Sequence, residues 1–99
     1  MYGTIARLRV KADMEADLQQ HTREFGSTNT PGFVASALYK ADAGGQEYWL
    51  AVIFEDQASY RANAESPEQD ARYRVMRSYL ESDPEWHDGE VLGRFTPGD

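Results

Sequence analysis

The side chain best suited to acid–base chemistry in this sequence is His21. It follows Met14 and Leu18 and precedes Phe25 at helical spacing, so its imidazole is expected beside an apolar stripe that faces a sheet. An imidazole titrates near neutral pH and could remove a proton from a bound molecule. The position also suits a histidine at the edge of a helix that is hydrogen-bonded to backbone, and the sequence leaves both interpretations open.

Metal, nucleophile and phosphate sites find little support in the sequence. The chain has no cysteine, and neither His21 nor His87 belongs to a His-x-His or Glu-x-x-His pair that could hold a metal. No Gly-x-Ser-x-Gly elbow marks a nucleophile. Gly44 and Gly45 are expected to form a hairpin turn and not a phosphate loop, because no helix follows them. We therefore predict no metal and no cofactor.

Length and charge limit the kinds of partner. The 99 residues suit a single domain over residues 1–99. A domain this small hides only about 60 to 65% of its unfolded surface, so a partner subunit is expected to add to its stability. The formal charge of −7 would repel phosphate backbones and anionic membranes. No secretory leader and no long apolar run is present, so we expect a cytoplasmic protein without nucleic acid or membrane partners.

The N-terminal half of the chain changes its hydrophobic period twice. Residues 2–10 alternate as a half-buried strand. Helical spacing then begins at Asp13, which we expect to be the N-cap, and ends at Gly26. Residues 33–41 and 47–55 are two further strands with a short glycine-containing connector, which predicts an antiparallel hairpin.

The C-terminal half adds helices and a last strand. A short helix is predicted after the N-cap Asp56, and a longer one after Ser66, which precedes a proline at the first helical position, Pro67. The longer helix should end before Pro84, and residues 90–95 should form the final strand. The order strand, helix, strand, strand, helix, strand (βαββαβ) predicts an α+β, ferredoxin-like fold with a four-stranded antiparallel sheet and helices on one face.

The predicted strand at residues 48–54, YWLAVIF, is apolar on both faces. A sheet with helices on one side and water on the other should alternate instead. Ile5, Val34, Leu38 and Leu92 also fall on the second faces of their strands. We therefore predict a homodimer in which a second copy covers the open sheet face. A central strand that is buried by its own helices and loops is the alternative.

Two polar segments are interpreted as structural. Arg7 and Arg9 lie on the second strand face and could bind an anionic substrate, but pairing with acids across the dimer is favoured because a buried arginine needs a partner. The segment WHDG, residues 86–89, follows a proline and precedes the predicted last strand. We interpret it as a corner, with a contact between subunits as the alternative.

Most of the chain resembles the antibiotic biosynthesis monooxygenase family. The likeness lies in the strand EYWLAVIFED passing directly into a short helix, then ANAESPEQDARYRVMRSYLES and a closing strand GEVLGRF, and it covers roughly residues 2–95. The resemblance implies a dimeric α+β barrel, in which two ferredoxin-like subunits join their sheets. The family includes oxygenases of aromatic polyketides that work without metal or flavin, and haem-degrading enzymes.

The resemblance argues against haem degradation. The haem-degrading members have an asparagine in the first strand, a tryptophan at the end of the third strand and an iron-ligating histidine in the following helix. Ala6, Phe54 and Asn63 stand at those positions here. Without an imidazole at Asn63, no proximal ligand would hold haem iron. Phe54 also replaces the tryptophan that some oxygenases of the family are thought to use.

These observations lead to three hypotheses of function. The first is a cofactor-independent monooxygenase-like enzyme that acts on a small aromatic or quinone-like compound, with His21 and Asn63 as the catalytic candidates. The second is a non-catalytic or accessory dimer that binds a small apolar ligand, and the third is another reaction on the same fold, such as a cyclisation or isomerisation. Aromatic side chains could wall the pocket, although they are also ordinary core residues. The candidates for ligand contact are Trp49, Phe54, Tyr60 and Tyr73, with Tyr39 and Tyr79 as further possible walls.

Overall fold

A four-stranded antiparallel sheet organises the computed structural model, which describes residues 1–42 and 45–98. The strands are β1 (Tyr2–Arg9), β2 (Phe33–Lys40), β3 (Glu47–Phe54) and β4 (Glu85–Glu90), in the spatial order β2-β3-β1-β4. The helices are α1 (Glu15–Ser27), α2 (Gln57–Ala64) and α3 (Pro67–Ser78). The predicted α+β, ferredoxin-like fold is confirmed. The predicted turn at Gly44 falls outside the described residues.

The helices pack on one face of the sheet. Strand alternation directs Ala6, Leu8 and Leu50 to this face, where they join Leu18 of α1 and Met76 of α3 in the main hydrophobic cluster. Each of these side chains is at most 7% exposed. Burial of this kind contributes about 25 cal/mol per Å² of apolar surface, so this layer is the main source of stability.

Predicted N-caps are confirmed for two helices and wrong for one. Asp56 Oδ1 accepts a hydrogen bond from the backbone N–H of the third residue of α2 at 2.8 Å, and Ser66 Oγ accepts one from the N–H of the third residue of α3 at 3.1 Å. For α1 the predicted cap, Asp13, is wrong. This helix begins at Glu15 and its N-cap residue, Met14, makes no side-chain capping bond. Asp13 instead occupies the left-handed region with φ of 67°, one of the conformations that aspartate tolerates in turns.

The last strand lies earlier than predicted. β4 occupies Glu85–Glu90 and not residues 90–95, so the WHDG segment (residues 86–89) is part of the sheet and not a corner. The prediction failed because all β4 side chains are exposed and most are polar, so the strand shows no apolar alternation. The apolar side chains of Leu92 and Phe95, which suggested a strand, lie beyond the ladder and are 90% and 88% exposed.

A β-bulge reverses the predicted faces of β2. Its register with β3 shifts between Phe33 and Ala35, which places one extra residue in β2. Leu38 therefore turns towards the helices and packs against the core, so its predicted position on the open face is wrong. Tyr39 takes the open face, where it is 64% exposed, and it cannot wall a pocket under the helices.

The opposite face of the sheet, which we call the open face, is covered by none of the three helices that the structure describes. Ile5 on this face is 53% exposed. Arg7 pairs with Glu47, and Arg9 pairs with Glu81 at 2.9 Å. Both arginines are thus paired within their own chain, and the expected pairing with acids across a dimer is not needed to neutralise them.

Candidate functional site

A cavity of about 420 Å³ lies between the helices and the sheet. Its volume is in the range of sites for small organic molecules. Every strand and every helix named above contributes at least one lining side chain. The cavity therefore depends on the whole fold, and its walls are held by regular secondary structure.

The aromatic rings of Phe25, Phe54 and Tyr60 line the cavity, and Phe33 connects the first two behind its wall. The ring of Phe25 meets that of Phe33 edge to face with centroids 4.9 Å apart. Phe33 meets Phe54 at 5.8 Å, and Phe54 meets Tyr60 at 5.7 Å, both edge to face. Such contacts fix ring orientations, so the wall suits a flat apolar ligand.

Three of the four predicted ligand-contacting aromatics line the cavity. These are Phe54, Tyr60 and Tyr73. Trp49 lies on the other side of the sheet, where it is half-buried and the guanidinium of Arg7 lies 6.0 Å from its ring. Trp49 and Phe54 are an odd number of positions apart in β3, and alternate side chains of a strand point to opposite faces. The prediction of Trp49 as a pocket residue is therefore wrong.

His21 lines the cavity, and its surroundings lower the pKa of its ring. Burial is the main cause of the decrease from 6.5; Glu24 opposes it and Arg72 adds to it. The imidazole is therefore neutral at neutral pH and can accept a proton. The ring packs edge to face against Tyr79 with centroids 6.1 Å apart. Among the described residues it forms no hydrogen bond to backbone, which had been the alternative interpretation.

Asn63 also lines the cavity and belongs to a polar network with Gln69 and Arg72. The Nη2 atom of Arg72 donates to Asn63 Oδ1 at 3.1 Å, and its Nε atom donates to Gln69 Oε1 at 3.2 Å. The guanidinium lies 5.0 Å from the ring centroid of Phe25. These contacts hold a positive charge on the cavity wall, where it could stabilise an anionic oxygen.

Sequence reasoning missed several polar and aromatic residues of the cavity. Arg72 shares a helix face with Met76, four positions later, and stands next to Tyr73, so the i, i+4 spacing could have indicated it. Trp86 and Asp88 were missed because the last strand was placed too late in the chain. In the structure, the ring of Trp86 lies 6.2 Å from that of Tyr73.

Two absences apply to residues 1–42 and 45–98. No group of three or more histidine, aspartate or glutamate side chains in this part of the chain could hold a metal ion. No helix in it is long and apolar enough to cross a membrane.

Sequence comparison identifies one family. A family model described as antibiotic biosynthesis monooxygenase matches residues 1–77. The match spans β1 to nearly the end of α3, so it includes His21, Asn63 and Arg72 but not β4. No curated protein is significantly similar to the sequence.

Several solved structures share the fold at low identity. A candidate antibiotic biosynthesis monooxygenase from Caulobacter crescentus CB15 is similar with a TM-score of 0.78 at 14% identity, over 93% of this chain and 90% of that chain. Another from Chloroflexus aurantiacus J-10-fl gives 0.76 at 18%, over 98% of each chain. A protein of unknown function from Nitrosomonas europaea gives 0.73 at 21%, over 99% of this chain and 95% of that chain. At these identities the likeness establishes the fold alone.

Proposed function

Because the chain belongs to the antibiotic biosynthesis monooxygenase family, we propose that it is a cofactor-independent monooxygenase-like enzyme acting on a small aromatic or quinone-like compound. One observation carries the proposal. The cavity combines a wall of aromatic rings with the neutral imidazole of His21 and the fixed guanidinium of Arg72. An apolar site with a few convergent polar groups is the usual form of a small-molecule active site.

The polar groups have complementary roles in this proposal. His21 accepts the proton of a phenolic hydroxyl, because its ring is neutral at the pH where a phenol is still protonated. Arg72 and Asn63 stabilise the phenolate oxygen that results, since their N–H groups line the same cavity. The aromatic wall holds the ring flat and excludes water, which strengthens these electrostatic interactions.

The overall reaction balances without a further reductant. A phenol with a hydrogen on the carbon para to its hydroxyl reacts with one dioxygen to give a quinone and one water. One oxygen atom forms the new carbonyl, and the other leaves as water with the phenolic and carbon-bound hydrogens. The ring supplies all the electrons that dioxygen needs, so the protein has to provide proton transfer and binding and not an electron carrier.

We further propose that the protein is a homodimer through the open face. Ile5, Ala51 and Ala37 lie side by side across three strands of that face. Ile53 adds to this surface from the same side of β3, and Trp49 and Tyr39 oppose each other beside it. A second copy would remove these apolar side chains from water, which favours association.

A non-catalytic ligand-binding role is the second candidate. One observation favours it: Asn63, Gln69 and Arg72 already satisfy part of one another's hydrogen-bonding capacity. Groups paired in this way can orient a bound molecule without reacting with it. Binding without turnover in the experiment below would support this role.

Oxygen uptake tests the proposed reaction directly. Purified protein is incubated with phenols and 1-naphthols that carry a hydrogen para to the hydroxyl, in the absence of added metal and flavin, and isotopically labelled dioxygen is followed into the quinone. Wild type should consume one dioxygen per quinone and place one labelled atom in it. His21→Ala should lower the rate by about a hundredfold or more, the usual contribution of a general base.

A matched control separates this effect from a change in α1. Gln19→Ala removes an exposed side chain from the same helix and should leave the rate unchanged. If His21→Ala keeps the wild-type rate, His21 is not the base. If none of these compounds is oxidised although they bind, the monooxygenase proposal is wrong.

A further inference from the structure

Thr4 has a buried hydroxyl without a partner. Thr4 is 6% exposed and lines the cavity, and none of the residues that the structure describes forms a hydrogen bond with its Oγ1 atom. The Tyr60 hydroxyl is near enough for Thr4 to act on its pKa as a weak hydrogen-bond donor, in the lowering direction, but the two hydroxyls do not meet the geometry of a full hydrogen bond. Buried hydroxyls nearly always have a partner, so an unpaired one in a cavity wall points to a bound molecule that supplies it.

Two further polar groups lie beside this hydroxyl. Asp88 stands opposite Thr4 in the pairing of β1 with β4. Its Oδ1 atom accepts a hydrogen bond from the Tyr60 hydroxyl at 2.9 Å. Burial and Asp88 raise the pKa of Tyr60 to about 12, so Tyr60 stays protonated and keeps this bond. A carboxylate has two oxygens, so Asp88 can accept a second hydrogen bond from a ligand.

The three residues Thr4, Tyr60 and Asp88 form a hydroxyl cluster on the wall of the cavity that Arg72 also lines. The guanidinium of Arg72 packs on Phe25 of α1, and α1 packs on β2, whereas Asp88 belongs to β4. β2 and β4 are the outer strands of the sheet. At about 4.8 Å per strand spacing, three spacings separate them by roughly 14 Å. The cavity wall therefore carries a guanidinium from α3 and a carboxylate from β4.

We propose that the hydroxyl cluster binds a hydroxyl or N–H group of the ligand. The natural ligand is then a flat aromatic molecule with a hydrogen-bond donor at one end and a carbonyl or anionic oxygen at the other. This inference rests on the proposed function only in taking the cavity as the binding site. The donor of the ligand bonds to Asp88, and the Thr4 hydroxyl completes the contact as donor or acceptor.

A pair of probe molecules tests the cluster by binding alone. One probe is naphthoic acid, and the other is the hydroxynaphthoic acid whose hydroxyl lies on the ring remote from the carboxylate. Their dissociation constants are measured by calorimetry, with nuclear magnetic resonance to confirm the cavity as the site. Wild type should bind the hydroxylated probe about tenfold more tightly, as expected for a hydrogen bond to a charged group. Arg72→Gln should weaken both probes.

Thr4→Val and Thr22→Val form a matched pair of variants. Each replaces a cavity threonine by a side chain of the same shape. The Thr22 hydroxyl is already bonded to the Leu18 carbonyl at 2.9 Å, so Thr22→Val should keep the preference for the hydroxylated probe. Thr4→Val should reduce it to about twofold or less. Valine is well tolerated in a strand, so Thr4→Val should fold. Asp88→Asn is a second test at an exposed position, and it should also lower the preference for the hydroxylated probe.

The possible results distinguish this inference from the proposed function. A hydroxyl preference that Thr4→Val and Asp88→Asn abolish supports the cluster, even if no compound is oxidised. Equal binding of the two probes to wild type overturns the cluster, even if oxidation occurs. An unchanged preference in both variants overturns it as well, as does failure of both probes to bind in the cavity.

Discussion

The two faces of this sheet are built from the same strands but differ in how far their side chains are buried. On the helix face, Leu8 is 1% exposed and a cavity with polar groups remains between sheet and helices. On the open face, Ile5, three positions away in the same strand, is 53% exposed. Polar groups are therefore enclosed where water is excluded, and apolar groups face water where nothing covers them.

The difference indicates that the faces serve separate purposes. The helix face contains buried polar atoms that packing alone does not require, such as the Thr4 hydroxyl, and these reduce stability unless a ligand uses them. The open face carries apolar side chains, such as Ile53 beside Ala51, whose exposure to water does not stabilise a monomer. The first pattern is typical of a binding site, and the second of an interface between copies.

The largest expected effect comes from a charge on the open face. Ala51 lies between Ile5 and Ala37 in the pairing of the central strands, so Ala51→Arg would place a cation in the middle of the proposed interface. An unpaired buried charge costs about 3 to 5 kcal/mol, so the dimer should dissociate at least about a hundredfold more readily. Sedimentation velocity should find a mass near 11.2 kDa for the variant and twice that for wild type.

The same change on a helix surface provides the control. Ala71 is exposed on α3, and Ala71→Arg should leave the mass unchanged. A wild-type protein that is monomeric at micromolar concentration would contradict the dimer. If the Ala51→Arg variant still sediments as a dimer, the interface lies on another surface.

Two truncations in β1 compare the faces within one strand. Leu8→Ala should lower the free energy of unfolding by about 2 to 5 kcal/mol at any protein concentration, because it opens a cavity in the core. Ile5→Ala should cost less than about 1 kcal/mol in a dilute monomer and more as concentration rises, because its contacts lie in the dimer. Urea unfolding at two concentrations measures both. Equal, concentration-independent losses would mean that the faces do not differ in this way.

The order of elements was predictable because local signals and burial agreed. Alternation in β1, the apolar run of β3 and the capping residues Asp56 and Ser66 each marked one element, and the ferredoxin-like order follows from the succession of these elements. The positions that failed lacked such a signal. Nothing in the composition of β2 indicates the bulge after Phe33, and the polar strand β4 takes its place by pairing with β1 and not by its own hydrophobicity.

The site was predictable only where it coincided with an apolar stripe. His21 and Tyr73 were found because they stand beside core residues at helical spacing. Thr4 and Asp88 were not, because they become neighbours through strand pairing between segments far apart in the sequence. The role of one residue can be inferred from a sequence pattern. The meeting of two distant polar residues depends on strand register, and the register of β4 could not be inferred because the last strand was predicted too late in the chain.

The enclosed His21 should make both the stability and the turnover of the protein depend on pH. Burial lowers the pKa of His21 below 6.5, with Glu24 opposing and the charge of Arg72 adding to the decrease. Between the lowered pKa and 6.5 the unfolded chain binds more protons than the folded chain, so the free energy of unfolding should fall as pH falls through this window. Turnover should fall as pH drops through the lowered pKa itself, because protonated His21 cannot act as a base. Nuclear magnetic resonance titration of the imidazole measures the pKa.

Substitution of Arg72 identifies the electrostatic part of that shift. Arg72→Gln removes a positive charge, so the pKa of His21 should rise towards 6.5, and the acid limb of the rate profile should move to higher pH by the same amount. If Arg72 only binds the substrate, its substitution would lower the rate without shifting the acid limb of the rate profile. A pKa of His21 at or above 6.5 in wild type would contradict its enclosure under the helices, and with it the contrast between a sheltered helix face and an exposed one.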